Sequence, residues 1–150
     1  MDVTVIRPGN MYGPYDDFDW ETSHVLPAFI RRVVERHDPI SVWGDGQDIK
    51  DLVYVDDVID GIFSAVQQTK GYDVFNIASG RGYCLKDMLS ILLTIEKYQN
   101  AEITFDATKP TMIPKRLIDI AKARAALGFE PKTAIEYGLA QTLAWYKVSR

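Results

Sequence analysis

The residues of this chain best suited to chemistry are His24 and Arg32, set eight positions apart in an apolar-periodic stretch. Eight residues is close to a multiple of the 3.6-residue helical period, so the two side chains can share one face and point into one pocket. A histidine's ordinary pKa near 6.5 suits proton exchange at neutral pH. An arginine's planar fork suits a diphosphate oxygen. The plainer alternatives are a solvent-facing His24 at the second position of a helix and a solvated Arg31-Arg32 pair. Asp56 and Asp57 suggest a paired acid site, but two carboxylates entering a helix are better explained by capping and by the helix dipole. Cys84 stands where a Ser or Thr cap is expected, with Asp87 three residues on, and reads as a substituted cap rather than a nucleophile. No metal-ligating set is assigned.

These residues need elements to hold them. Val3-Thr4-Val5-Ile6 is β-branched and apolar without alternation, as in a strand buried on both faces. A long acidic and aromatic loop is expected from Gly9 to Thr22, with Tyr15, Phe18 and Trp20 either forming a lid or packing on a neighbour. Ser23 is placed to cap a helix bearing Val25, Leu26, Phe29, Ile30, Val33 and Val34, with Pro27 in its first turn. Ile40–Trp43 and Leu52–Val55 read as strands around the turn Gly44-Asp45-Gly46. A helix with Val58, Ile59, Ile62, Phe63 and Val66 follows.

Val74–Ile77 reads as a further buried strand, then a helix from Leu85 to about Tyr98, a short strand Ile103–Phe105 and a loop from Lys109 to Pro114. Ile118 to Leu127 reads as a helix stopped by Gly128. Thr133-x-x-Glu136 is a capping box for a last helix with Ile135, Leu139, Leu143, Trp145 and Tyr146. Strands alternating with helices indicate an α/β class.

Composition sets outer bounds. The chain has 150 residues, a net charge of −4, 47% hydrophobic and 25% charged residues, so it can bury a core and a broad nucleic-acid footprint is not expected. A lone cysteine excludes an internal disulfide and fits a reducing cytoplasm. No apolar run approaches the roughly 18 residues of a membrane span. No glycine-rich loop joins a first strand to a helix, and no Tyr-x-x-x-Lys pair lies on a helix.

Three motifs occur in order: Arg7-Pro8-x-Asn10-x-Tyr12-Gly13-Pro14; Trp43-Gly44-Asp45-Gly46 with Asp51-x-x-Tyr54-Val55-Asp56-Asp57; and Phe75-Asn76-Ile77-Ala78-Ser79-Gly80. From Val3 to about Tyr146 the chain resembles the C-terminal portion of the extended short-chain dehydrogenase/reductases, the NAD(P)-dependent nucleotide-sugar epimerases, dehydratases and reductases. The resemblance implies the C-terminal part of a Rossmann-like parallel sheet plus the small α/β substrate-binding domain, with the N-terminal cofactor-binding half absent from residues 1–150. It also implies NAD or NADP in the complete enzyme, a nucleotide-diphosphate sugar as ligand, and the missing half or a second copy as protein partner.

Within that family, Asn10-Met11-Tyr12-Gly13-Pro14-x-Asp16-x-Phe18 and Ser23-His24-Val25-Leu26-Pro27-Ala28 are most similar to the GDP-L-fucose synthases, which epimerise and reduce a GDP-4-keto-6-deoxymannose. By that resemblance Pro8, Gly9, Asn10 and Met11 lie along the nicotinamide end of the cofactor, and His24 donates a proton during epimerisation. Asn10, Arg32, Trp43, Lys50 and Arg116 fall at substrate-binding positions, with Trp43 stacking on base or sugar. Lys50 departs from the family's usual arginine, which keeps the charge but loses the bidentate fork. A 4-epimerase or a 4,6-dehydratase shares the Tyr54-Val55-Asp56-Asp57 motif. A non-catalytic nucleotide-sugar-binding or truncated module is the alternative from another class.

Overall fold

The structure is a computed structural model and describes residues 1–109 and 113–149. In its first half β1 (Val3–Pro8), β2 (Asn10–Tyr12), α1 (Val25–Val34), β3 (Ile40–Trp43), β4 (Ile49–Tyr54) and α2 (Val55–Gln68) follow one another. Then come β5 (Tyr72–Ile77), β6 (Gly82–Cys84), α3 (Leu85–Ile95), β7 (Ile103–Asp106), β8 (Lys115–Arg116), α4 (Ala121–Leu127) and α5 (Ile135–Val148).

β1 runs parallel to β5 over its whole length, from Val3 opposite Tyr72 to Pro8 opposite Ile77. Parallel neighbours need a crossover, and α2 returns the chain to β5. Its buried face carries Val58, Gly61 and Ala65. A Cβ on Gly61 would lie 2.8 Å from Cγ2 of Ile77, so the glycine lets helix and strand close together. β4 is the spine of a second sheet, with β2 parallel at Leu52–Tyr54, β6 antiparallel at Ile49–Asp51 and β8 parallel at Ile49–Lys50. β3 and β7 form a parallel pair.

Two apolar cores result. One gathers Val53, Val58, Phe75, Ile77, Ile120 and Phe129 around β5, α2 and α4. The other gathers Phe29, Ile30, Val42, Leu52, Leu89, Leu92 and Leu139 among α1, α3 and α5. Successive strand residues face opposite ways, so Val53 enters one core while Leu52 and Tyr54 enter the other. β4 therefore joins an α/β layer continuous with β1 to a smaller α/β unit, in line with the expected architecture.

Several local expectations are corrected. Asn10–Tyr12 is a strand rather than loop, made by pairing with β4 rather than by its own β propensity. His24, not Ser23, is the N-cap residue of α1, and no side chain caps that helix. α3 ends at Ile95, before Tyr98, where the amide of Tyr98 donates to the carbonyl of Leu93 at 2.8 Å. α4 begins at Ala121, not Ile118, because the Asp119 carboxylate accepts from the Ala121 amide at 2.8 Å while the Ile118 amide is drawn away to Asp51. Gly128 ends α4 in the left-handed conformation, φ 63°, as expected.

Thr133 and Glu136 form no capping box. α5 starts at Ile135, and the amides of Lys132 and Thr133 donate to the carboxylate of Asp57 at 3.0 and 3.1 Å. Asp57 thus serves a distant turn rather than capping α2, although it lies in that helix's first turn. Cys84 does occupy the N-cap position of α3, but its thiol donates to the carbonyl of Gly46 at 3.2 Å. Of the loop expected from Lys109 to Pro114, residues 110–112 lie outside the described residues. No helix among the described residues is long and apolar enough to cross a membrane.

Candidate functional site

Pro8 and Gly9 carry the chain from the β1–β5 pair to the β2–β4 pair. The Gly9 amide donates to the carbonyl of Ile77 at 2.8 Å, and a Cβ on Gly9 would lie 2.9 Å from that of Ala78. Only a residue without a side chain passes this close. Asn10 and Met11 follow in β2, with Met11 48% exposed. Pro8 to Met11 therefore present backbone and one apolar side chain along a seam between two sheets.

His24 sits at the N-terminus of α1 and is exposed. Its imidazole lies close enough to Asp16 and Asp17 to favour both carboxylates. Asp16 is nevertheless pushed up, chiefly by burial, while Asp17 is held down, first by the Thr22 hydroxyl at 2.5 Å. Arg32 lies in the last turn of the same helix and is half-buried. Burial first, then the neighbouring Arg31, pulls its pKa down. It has no hydrogen bond or ion pair among the described residues. A half-buried cation without a carboxylate is a ready partner for an anion.

Arg31 has a different fate. It is 3% exposed, its Nη1 donates to the Phe18 carbonyl, and its guanidinium lies 3.4 Å from the Trp20 ring centroid. The picture of a solvated Arg31-Arg32 pair therefore fails for Arg31. Tyr15 and Phe18 pack on Trp145 at 4.9 and 5.9 Å, so the aromatic residues of the acidic loop pack on neighbours.

The remaining candidates meet around β4. Trp43 ends β3, 54% exposed, with the Lys109 ammonium 5.6 Å from its ring centroid. A cleft of about 320 Å³ opens beside it, lined by Gly44, Asp45, Gln47, Asp48, Lys109 and Pro114 among others. Lys50 donates to the Asp48 carboxylate at 3.0 Å and to the Ile113 carbonyl at 2.7 Å, so its ammonium already has protein partners. Arg116 is exposed and stands directly opposite Lys50 in the β4–β8 pair. Asn10 pairs with Leu52 farther along the same strand.

The fold thus brings Lys50 and Arg116 together at the start of β4, with Trp43 at the end of the preceding strand and the Pro8–Met11 seam farther along β4. His24 and Arg32 lie at the two ends of α1, and no hydrogen bond or ion pair among the described residues joins them to the β4 group. Eight residues along a helix span about 12 Å, so only an elongated ligand reaches both His24 and Arg32.

Asp51, next to Lys50, was not singled out from the sequence. It is fully buried, and its carboxylate accepts from the Ser79 amide (2.9 Å), the Ser79 hydroxyl (2.7 Å), the Gly80 amide (3.1 Å) and the Ile118 amide (3.1 Å). Its only sequence signal is its place at the head of Asp51-x-x-Tyr54. Two buried tyrosines, Tyr12 and Tyr54, make an edge contact at 5.5 Å, and burial pushes both phenols above their ordinary pKa, which makes neither a ready base.

Comparison with known proteins decides the family, since a model described as the NAD dependent epimerase/dehydratase family matches residues 1–78. The chain belongs to that family. This epimerase/dehydratase chain is 35% identical over 143 residues to a putative GDP-L-fucose synthase 2 of Arabidopsis thaliana, covering 93% of the chain and 43% of the relative. It is 32% identical over 150 residues to a probable GDP-L-fucose synthase 1 of Oryza sativa subsp. japonica, covering 97% and 45%. A UDP-glucose 4-epimerase of Thermotoga maritima, solved with UDP-glucose, superposes with a TM-score of 0.87 at 30% identity, over 99% of this chain and 47% of that one. The chain spans about half the length of the relatives it matches.

Proposed function

We propose that this chain is the substrate-holding half of an NAD(P)-dependent nucleotide-sugar-modifying enzyme, of the kind that epimerises and reduces GDP-4-keto-6-deoxymannose. The observation that carries the reading is the alignment of Lys50 with Arg116 at the start of β4, the strand that follows the exposed Trp43. An exposed aromatic face and a pair of aligned cations suit a nucleoside diphosphate: the base stacks, and the fork of Arg116 takes phosphate oxygens. Lys50 supplies charge close by, tethered by Asp48. Arg32, half-buried and lacking a carboxylate, takes a further oxygen of the same diphosphate.

In this reading His24 delivers a proton to the epimerised carbon and Asn10 holds a sugar hydroxyl. Pro8, Gly9, Asn10 and Met11 border the nicotinamide. The exposed Met11 fits a flat apolar ring, whereas this chain has no glycine-rich loop to hold the pyrophosphate. When bound, NAD or NADP supplies hydride exchange at a sugar carbon. We place the enzyme in the cytoplasm, where the free thiol of Cys84 stays reduced. A 4-epimerase acting on a UDP-sugar is the second reading, supported by the solved Thermotoga maritima relative.

The test is an assay of a complete protein containing this half with GDP-, UDP- and dTDP-linked sugars, following NADPH oxidation and solvent-deuterium uptake. NADPH oxidation with the GDP-4-keto sugar supports the reading. Turnover of UDP-sugars alone, without net NADPH oxidation, favours the 4-epimerase. Turnover of none leaves a binding module.

A further inference from the structure

We propose that Asp51 is a positioning residue for the substrate diphosphate: buried beneath the binding face, it sets the register of the strand row that carries Lys50 and Arg116. The inference rests on the diphosphate reading given above. Directly paired residues in neighbouring strands project from the same face of a sheet, whereas successive residues along a strand alternate. Lys50 pairs with Tyr83 in β6 and with Arg116 in β8. These three side chains therefore form one row on one face. Asp51, one residue on, projects from the other face into the interior, where it is fully buried.

Its four bonds reach the two segments that flank that row. Oδ1 accepts from both the amide and the hydroxyl of Ser79, just ahead of β6. The Ser79 hydroxyl in turn accepts from the Arg81 amide at 3.0 Å, which continues the tie toward β6. Oδ2 accepts from the amides of Gly80 and Ile118, and Ile118 lies two residues past Arg116. One carboxylate thus pins both neighbours of β4 at the level of Lys50. β8 is only two residues long, and the Ile49 amide on the Pro114 carbonyl (2.7 Å) and the Lys50 ammonium on the Ile113 carbonyl (2.7 Å) hold it from its N-terminal side, so Asp51 supplies the tie on its C-terminal side.

Only a carboxylate meets this donor set. Both of its oxygens accept, and each takes two donors here. Asparagine offers one oxygen, so in either orientation its NH₂ faces two N–H or O–H donors. Unmade bonds of that kind are expected to let the flanking segments shift and the cationic row with them.

The experiment titrates this chain by calorimetry with GDP, UDP, guanosine and uridine, as wild type, Asp51→Asn and Ser79→Ala, with thermal melts alongside. Wild type is expected to bind at least one nucleoside diphosphate saturably. Asp51→Asn should weaken that diphosphate about tenfold or more while the matching nucleoside changes less than about twofold. Ser79→Ala keeps both backbone donors and should lose about threefold for the diphosphate alone, which provides a reading if Asp51→Asn does not fold. Equal losses for nucleoside and diphosphate would mean that Asp51 merely supports the fold, and would overturn the proposal. So would unchanged diphosphate affinity in Ser79→Ala. Wild type that binds neither diphosphate overturns the diphosphate reading itself, and this inference with it.

Discussion

Phe18 stacks on Tyr146, with ring centroids 4.5 Å apart and planes 27° from parallel. A residue of the loop between β2 and α1 is thereby tied to the last helix of the chain. The Arg31 bond to the Phe18 carbonyl holds the same residue from the other side. The loop that leads to His24 is fixed by packing on α1 and α5 as well as by local bonds to the carboxylates of Asp17 and Asp19.

Phe18→Ala removes that stack. Burial and ring pairing of an aromatic side chain contribute about 1–3 kcal/mol when complete, so this partly buried one should cost about 1–2 kcal/mol. Urea unfolding measures the loss, and hydrogen exchange should show faster opening of the amides from Asp16 to Thr22. Unchanged exchange in that segment would show that the stack does not hold the loop.

His24→Gln keeps size and hydrogen bonding but removes a titrating proton donor. General acid–base groups typically contribute about 10²–10⁴ in rate, so a loss of that order is expected in solvent-deuterium incorporation at the epimerised carbon of a complete enzyme. Substrate affinity should change far less. A variant exchanging at the wild-type rate would return His24 to the role of an exposed helix cap.

The chain by itself is expected to bind NAD or NADP poorly. Phosphate-loop amides and a ribose-binding acid supply most contacts in a Rossmann site, and this sequence has no such loop. Calorimetry should show no saturable heat at millimolar cofactor. Micromolar binding would contradict the division of labour proposed here.

Ile59, Ile62, Phe63 and Val66 form an exposed stripe on α2, 44%, 39%, 63% and 64% accessible. Their spacing puts them on one helical face. Among the described residues β1 pairs only with β5, so its other edge is open. Both features favour self-association. Light scattering and a hydrophobic dye should report it, and the double variant Ile62→Lys, Phe63→Lys should reduce both signals. A stable wild-type monomer that binds no dye would mean that this face needs no covering partner.

Gly138→Ala is expected to destabilise although it improves helix propensity. The added Cβ would lie 2.2 Å from the hydroxyl of Tyr12 and 2.9 Å from its ring. Overpacking costs about 1–3 kcal/mol, against about 1 kcal/mol gained in propensity. The midpoint of thermal unfolding should fall. Because Tyr12 follows Asn10 and Met11 in β2, the seam proposed for the nicotinamide should move with it.

How much of this was legible in the chain depends on how far each determinant reaches. The apolar β-branched run at Val3–Ile6, the 3.6-residue apolar pattern from Val25 to Val34 and the helix stop at Gly128 act within a few residues, and the structure has each element, although Val3–Ile6 is only partly covered rather than buried on both faces. Three ordered motifs were enough to place the chain in its family. Only the tertiary structure decided the rest. β2, β6 and β8 are two or three residues long, too short for any period, and exist because β4 offers them partners. Arg31 and Arg32 are the same residue type side by side, and only the packing of Trp20 and Phe18 makes one a buried strut and leaves the other without a partner among the described residues. Asp57 looked like a helix cap until the fold brought Lys132 and Thr133 to it, and Asp51 drew no notice until Ser79, Gly80 and Ile118 converged on its carboxylate. A buried carboxylate takes whichever donors the fold delivers, and those donors lie tens of residues away, beyond any local pattern.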